Sequence, residues 1–418
     1  MFGISPAFWG SNPLTGWPVW DNTLDTNALS NSLDIYNITA DLVQPMTNNS
    51  CVAVVGGVCN VSGIYKDAIR LVRVTRSPTN SHTFAWGALY PRTSTDEGWD
   101  GNAICALSTT KVLSVTCATA GNSYVTLYNV DTTALSAIIA TETLFDTTRV
   151  GQASMVKIST TQALLTFLNY TDNTLYAVKI TVTGNTITVS NKLTVLTPSD
   201  GPWQFDSVYV PSANKAYVTA TKTGVINQIK VIPIDCTGAT PVADVTNTAT
   251  MGTNAGLYYV SADTNINGQI IMMYGSITSH TLNAVLINLV YNPATGISDI
   301  PQIVSTFLVA GTGGAYFYNG VSMIDDQHAL VTFKNPVYGY KLTTRVLSYT
   351  NNQLKAGSTT PVVVWTSPYN PSAATGWDYK SGPIDVLRLS DNELLVFHQD
   401  YTWSLEAKVL WNGINSYV

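Results

Sequence analysis

Charge is what this sequence has least of. Asp, Glu, Lys and Arg together make up 11% of its 418 residues, against about 25% in an ordinary soluble domain. Ser, Thr, Asn and Gln must therefore cover the surface, with 22 Tyr besides. Disorder is not the consequence, because hydrophobic residues reach 45% and alternate with polar ones along the chain. A run of about 18 apolar residues, the length a membrane-crossing helix needs, is absent, so no membrane span is expected. Net charge is −6 and Lys and Arg are scattered, which leaves no basic footprint for nucleic acid.

Catalytic and redox signatures are missing as well. The chain has no G-x-S-x-G, no phosphate-binding G-x-x-x-x-G-K-S/T, no G-x-G-x-x-G and no H-E-x-x-H. Its histidines are only His82, His280, His328 and His398, at different phases of the repeat described below, so a shared metal is not expected. The five cysteines form no C-x-x-C, and their odd number argues against a disulfide framework. Cys51 and Cys59 could close a small loop in CVAVVGGVC, but buried or idle thiols fit better. The N-terminal stretch MFGISPAFWGSNPLTGWPVW has neither a basic nor a continuous apolar region, so it does not read as a secretory signal.

What is present is a repeat. LSTTKVLSVT at 107–116 returns as ISTTQALLTF at 158–167. The same pattern, an apolar residue, a short polar turn and an alternating strand, recurs from Val210, Val260, Ile324 and Leu389, with a looser copy from Val74. Each turn reads as a hairpin, expected at 108–111, 159–162, 211–215, 261–268, 325–328 and 390–393. A further strand-like run follows most of them, such as TLYAVKITV at 174–182, and one turns back again through Gly184-Asn185. Three to four strands per unit at a spacing near 50 predict an all-β propeller, with seven blades favoured and six as the alternative. A sandwich or a solenoid is the runner-up architecture.

The last unit ends after its third strand, at VLWNGINSYV, so a strand from elsewhere should complete it. LDIYNITADLV (33–43) and CVAVVGG (51–57) are the candidates. The expected division is an N-terminal arm over residues 1–63, supplying that strand, and a propeller over 64–418. The arm carries Trp9, Trp17 and Trp20, which predict docking on a neighbouring surface or on the propeller itself.

Two fragments weigh less than they first suggest. STDEGW (94–99) matches the start of a sialidase-type Asp-box but lacks its later Thr-Trp spacing. DTNING resembles the start of a calcium loop through Asp263, Asn265 and Asn267, yet Tyr274 stands where the closing carboxylate belongs. No metal or cofactor is expected, and the calcium set remains a weak candidate. Trp99, Trp203, Tyr316 and Trp377 precede their hairpins at similar distances. They are candidates for an aromatic binding surface near the blade crossings, with packing between blades as the plainer alternative.

The units ALSTTKVLSVTCATAGNSYVTLYNV (106–130) and KISTTQALLTFLNYTDNTLYAVKITVTGNTITV (157–189) resemble propeller repeats of tailed-bacteriophage tail and fibre proteins. The resemblance covers roughly residues 100–400. It implies a non-enzymatic virion component, assembled in the host cytoplasm, with other virion proteins and a host glycan or receptor as partners and several copies per assembly. The tail or adsorption apparatus (fibre, nozzle or tail tip) is the expected place, and a capsid decoration protein is one alternative. A secreted glycan-binding or carbohydrate-active propeller is the other, and it would show paired carboxylates in the channel.

Overall fold

A computed structural model describes residues 21–22, 39–61, 64–76, 82–92, 98–118, 121–197, 203–222, 227–253, 257–265, 267–276, 279, 281–311, 319–335, 341–356, 362–363, 384–390, 393–399 and 405–411. Among the described residues, regular structure is all strand apart from one 3-10 turn at Val245–Asn247. No helix among the described residues is long and apolar enough to cross a membrane.

The strands form seven antiparallel sheets. β1 (Asp21–Asn22) comes first in the chain. Sheet 1 holds β2 (Thr39–Thr47), β3 (Ser50–Val61), β4 (Ile64–Arg76) and β5 (His82–Pro91). Sheet 2 holds β6 (Gly98–Ser108), β7 (Lys111–Ala118), β8 (Ser123–Asp131) and β9 (Ser136–Asp146). Sheet 3 holds β10 (Val150–Ser159), β11 (Gln162–Asn169), β12 (Thr174–Thr183), β13 (Thr186–Val189) and β14 (Leu193–Leu196). Sheet 4 holds β15 (Trp203–Val210), β16 (Lys215–Lys222), β17 (Asn227–Asp235), β18 (Val242–Ala243) and β19 (Ala249–Thr253). Sheet 5 holds β20 (Leu257–Thr264), β21 (Ile270–Ser276), β22 (Thr281–Asn292) and β23 (Ile297–Ala310). Sheet 6 holds β24 (Asn319–Met323), β25 (His328–Asn335), β26 (Lys341–Thr350), β27 (Gln353–Ala356) and β28 (Val362–Val363). Sheet 7 holds β29 (Ile384–Ser390), β30 (Glu393–Gln399) and β31 (Leu405–Trp411), with β1 as its fourth strand.

The first strands of successive sheets lie side by side: β2 on β6, β6 on β10, β10 on β15, β15 on β20, β20 on β24, β24 on β29, and β29 back on β2. That closed cycle makes the sheets the blades of a propeller. Six blades are each built from one continuous stretch, and the seventh borrows β1. The core is therefore divided among the seams. One cluster packs Leu113, Val115 and Leu127 of sheet 2 against Leu165, Phe167 and Ile180 of sheet 3. Another packs Cys51, Ala53 and Val72 of sheet 1 against Leu395, Phe397 and Val409 of sheet 7. A second strand of a blade has a neighbouring sheet on both faces. QALLTFLN of β11 is accordingly buried at every position after the first, a continuous run where a half-exposed strand would alternate.

The repeated Ser-Thr-Thr triplet has a local cause. Ser108 Oγ accepts the Thr110 N–H at 3.3 Å, and Ser159 Oγ accepts the Thr161 N–H at 3.2 Å. Each serine thereby stabilises the turn between the first and second strands of its blade. The hairpins expected at 108–111, 159–162, 211–215, 325–328 and 390–393 fall between first and second strands. In sheet 5 the turn sits further along, at 265–269, because Ser261 is still inside β20.

Three expectations need correction. The looser copy from Val74 spans β4 and β5, while the first hairpin of sheet 1 turns at Asn48-Asn49, with φ of 50° and 65°. Residues 39–61, expected in the arm, are β2 and β3 of sheet 1, so the first blade begins at Thr39 and not at residue 64. Neither 33–43 nor 51–57 closes the last blade. Closure comes from Asp21 paired with Val409 and Asn22 with Lys408. CVAVVGG is too apolar for an outer strand and is the twice-covered second strand of its own blade.

Backbone approaches tightly where sheets 1 and 2 meet. A Cβ on Gly87 would lie 2.1 Å from the Leu135 carbonyl oxygen. Leu135 itself holds a φ of 53° in the turn between β8 and β9 and is buried at 7% exposure, so it has little room to move. Gly87→Ala should therefore destabilise the fold by about 2–3 kcal/mol, as overpacking does. A fall in the urea midpoint at constant slope would check this; an unchanged midpoint would mean that the Leu135 turn yields.

Candidate functional site: the carboxylates between the inner strands

Four of the seven inner strands carry an aspartate whose side chain is described and which the charge-poor sequence might have been expected to keep on its surface. They are Asp41 on β2, Asp206 on β15, Asp263 on β20 and Asp385 on β29. Each sits on an otherwise largely apolar strand, half-buried at the seam with the next blade. Their hydrogen bonds repeat one pattern. Oδ1 accepts the N–H of the following residue, from Leu42, Ser207, Thr264 and Val386, at 2.7–2.8 Å. Oδ2 accepts an N–H from the inner strand of the next blade: Ala106, Ala262, Met323 and Ala40, also at 2.7–2.8 Å. The last of these joins sheet 7 to sheet 1 and so closes the ring. Between sheets 3 and 4, Ser154 Oγ donates to Asp206 Oδ1 at 2.7 Å and accepts the Ser207 N–H at 3.2 Å.

Burial is the leading influence on these carboxyls and favours the uncharged form. It pushes Asp41 up to about 6, against the N–H donors of Ala106 and Leu42 and the charge of Lys157. Asp263 is pushed up to about 6, against Met323 and Thr264. Asp385 rises to about 7, helped by the negative charges of Asp206 and Asp41. Asp206 is also raised by burial. Groups with such values can exchange a proton near neutrality, yet both oxygens of each already hold backbone N–H groups in place. The repetition in four seams marks them as joints between blades.

A second set of joints lies further out and also runs from one blade to the next. Arg73 of β4 donates to the carbonyls of Thr132 and Thr133 in sheet 2. Asn129 of β8 donates to Asn185 Oδ1 in sheet 3 at 3.3 Å. Lys179 of β12, buried, donates to the Cys236 and Gly238 carbonyls in sheet 4 at 2.7 and 2.9 Å. Lys215 of β16 pairs with Asp299 in sheet 5 at 2.8 Å and Asn288 of β22 donates to Asn352 in sheet 6 at 2.6 Å. At the closing seam, buried Glu393 of sheet 7 receives Arg76 through both carboxylate oxygens and contacts His82 Nε2 at 3.0 Å. Charged side chains, few as they are in this sequence, thus recur at the seams between blades.

The residues expected to bind are placed differently. Trp99 lies in β6 and Trp203 opens β15, both on inner strands. Tyr316 and Trp377 lie outside the described residues, as do Trp9, Trp17 and Trp20. Asp263, Asn265 and Asn267 do not act as one ligand set. Asp263 reaches to Met323, Asn265 Oδ1 accepts the N–H groups of Asn267 and Gln269, and Asn267 is exposed. Among the described residues no three His, Cys, Asp or Glu side chains are grouped to hold a metal ion. Cys51, Cys105, Cys117 and Cys236 are buried free thiols; burial pushes Cys51 up to about 12 and Cys236 up to about 11, so both stay protonated and unreactive.

The aspartate joints had a signal in the sequence. Asp206 and Asp385 each stand four residues ahead of the apolar residue that opens the repeated pattern, Val210 and Leu389. In sheet 5 the pattern read from Val260 starts ahead of Asp263, inside β20, which hides the correspondence.

No protein-family model matches this chain, and no curated protein matches it significantly. Solved structures are similar at low identity. Sqt1 of Saccharomyces cerevisiae is 9% identical with a TM-score of 0.46, covering 95% of this chain and 99% of that one. A protein from Lactobacillus plantarum is 11% identical with a TM-score of 0.45, covering 80% and 89%. A Hadza microbial sialidase is 12% identical with a TM-score of 0.40, covering 77% and 65%.

Proposed function

We propose that this chain is a non-enzymatic structural propeller of a tailed-bacteriophage virion, working in the tail or adsorption apparatus as a rigid disc between neighbouring subunits or before a host receptor. One observation carries the reading: the inner carboxylates, which a hydrolase of this architecture would need free, are engaged in joining blade to blade. A disc whose seams are bonded at both inner and outer radii resists shear, which suits a part that transmits force. The low-charge Ser, Thr and Asn surface and the repeat style of residues 106–189 support the same assignment.

In this reading the N-terminal arm attaches the disc to its neighbours. Residues 1–20 contain no charged residue and five aromatic ones, Phe2, Phe8, Trp9, Trp17 and Trp20. Burying each large side chain against another subunit contributes about 1.5–3 kcal/mol, and symmetric copies multiply the gain. Replacing Trp9, Trp17 and Trp20 together with Ser should leave the circular dichroism of the propeller unchanged and abolish incorporation into particles. Normal incorporation of that variant would overturn the reading. So would glycan hydrolysis by the unaltered chain that disappears in Asp206→Asn or Asp263→Asn.

A further inference from the structure

Where sheets 2 and 3 meet, an amine and a carboxamide share one buried carboxylate. Asp146 ends β9, Asn169 ends β11, and Lys192 lies between β13 and β14. Asp146 Oδ2 accepts from Lys192 Nζ at 2.7 Å and from Asn169 Nδ2 at 3.4 Å. Its other oxygen, Oδ1, is held by the Thr148 N–H at 3.0 Å and the Thr148 hydroxyl at 2.7 Å, which fixes Oδ2 between the two nitrogens. The Asn169 carbonyl oxygen accepts the N–H groups of Thr171 at 2.9 Å and Asp172 at 3.4 Å. Asp146 and Asn169 are each 2% exposed. Lys192 Nζ stands 5.4 Å from the Tyr176 ring, which tilts against Phe167, itself edge-on to Phe145. The Lys192 side chain keeps 38% exposure, so it has room to swing.

We propose that Lys192 and Asn169 become joined by an isopeptide bond, with Asp146 carrying the protons. Asp146 takes a proton from the Lys192 ammonium. The freed Nζ lone pair attacks Asn169 Cγ, coming within about 3–3.5 Å of it by rotation of the lysine side chain. The carbonyl electron pair moves onto Oδ1, where the Thr171 and Asp172 N–H groups already donate, as an oxyanion hole requires. Protons pass through Asp146 from Nζ to Nδ2, and the Cγ–Nδ2 bond breaks. Ammonia leaves as ammonium, taking the positive charge that the lysine held. One C–N bond replaces another, so no oxidant, reductant or further reactant is needed. The product ties the end of β11 to the connection between β13 and β14, and residues 169–192 become a closed covalent loop around β12. The bond forms within one chain and stands apart from the virion reading.

The intact mass of the purified full chain tests it. The unaltered protein should be lighter than its sequence by one ammonia, about 17 Da, and a protease digest should yield a branched peptide joining Asn169 to Lys192. Lys192→Arg keeps a cation beside Asp146 but lacks the attacking amine. That variant should regain the full mass with an unchanged circular dichroism spectrum. Asp146→Asn should also keep the full mass, because an amide does not take up the lysine proton; if it fails to fold, Lys192→Arg decides alone. A succinimide at an Asn-Gly step gives the same deficit but survives Lys192→Arg. Full mass in the unaltered chain, or a deficit that Lys192→Arg retains, overturns the bond. A deficit lost in Lys192→Arg but kept in folded Asp146→Asn overturns the part given to Asp146.

Discussion

Removing residues 1–60 should leave no folded propeller, whereas removing residues 1–22 should cost about 1–2 kcal/mol and leave the ring intact. The longer truncation takes away β2 and nearly all of β3. Cys51, Val52, Ala53, Val54 and Val55 are each at most 2% exposed, and they serve two seams at once. Cys51, Ala53 and Val55 pack toward sheet 7, and Val52 and Val54 toward sheet 2. At about 1.5–3 kcal/mol for each large apolar side chain, their loss approaches the whole stability of an ordinary domain, about 5–15 kcal/mol. The same cut removes Asp41, which holds Ala106, and Ala40, which Asp385 holds. Both seams of sheet 1 lose their inner joint. Among the described residues the shorter truncation removes the two pairs of β1, and Tm should fall by a few degrees. Far-UV circular dichroism and thermal melts of the two truncations distinguish these outcomes. A cooperative melt of the 61–418 fragment would show that six blades can close without the first. Collapse of the 23–418 fragment would assign the arm a stabilising role beyond the β1 pairs.

The sequence carried the fold further than it carried the joints. Alternation and the spacing of Ser108, Ser159, Pro211 and Ser390 marked the hairpins, because a turn between short strands needs particular residues whatever surrounds it. The strand-like run 174–182 lies in β12, the third strand of its blade. The first blade was misread because its hairpin turns through Asn48-Asn49 with positive φ, a different chemistry from Ser-Thr-Thr. The closing strand was placed too late in the chain because two residues, Asp21 and Asn22, leave no periodicity to detect. Joints between blades are less legible still. Arg73, Lys179 and Glu393 find partners 59, 57 and 317 residues away, and no local pattern specifies a partner at such range.

Stability should fall as pH rises from about 5 to 8, the reverse of what salt-bridged surface carboxylates would give. The cause lies in the four inner aspartates. Burial lifts Asp41 and Asp263 to about 6 and Asp385 to about 7, and raises Asp206, so the folded chain retains protons that the unfolded chain releases near pH 4. Their contribution is fully present below the unfolded value and is lost as pH climbs through the folded ones. Asp244 and Asp299 act in the opposite sense. Burial pushes each up, but side-chain hydrogen bonds, from Asn247 and Thr246 to Asp244 and from Lys215, Asn292 and Thr295 to Asp299, together with the charge of Lys215, hold both below the usual range. Their contribution is lost only as pH falls below about 4. The optimum therefore lies near pH 4–5. Each pKa unit is worth about 1.4 kcal/mol, and water at the half-buried groups reduces that, so the four together amount to on the order of 5 kcal/mol. Tm should be roughly 5–10 °C lower at pH 8 than at pH 5. Asp385→Asn should flatten this slope, because an amide at the closing seam has no charge to desolvate. Asp385→Ala should instead lower Tm at every pH, since the Ala40 and Val386 N–H groups lose their acceptor at about 1–3 kcal/mol each. Scanning fluorimetry of the three proteins in matched-ionic-strength buffers decides the matter. A Tm that rises from pH 5 to 8 in the unaltered chain would mean that the backbone donors, and not burial, govern these carboxylates.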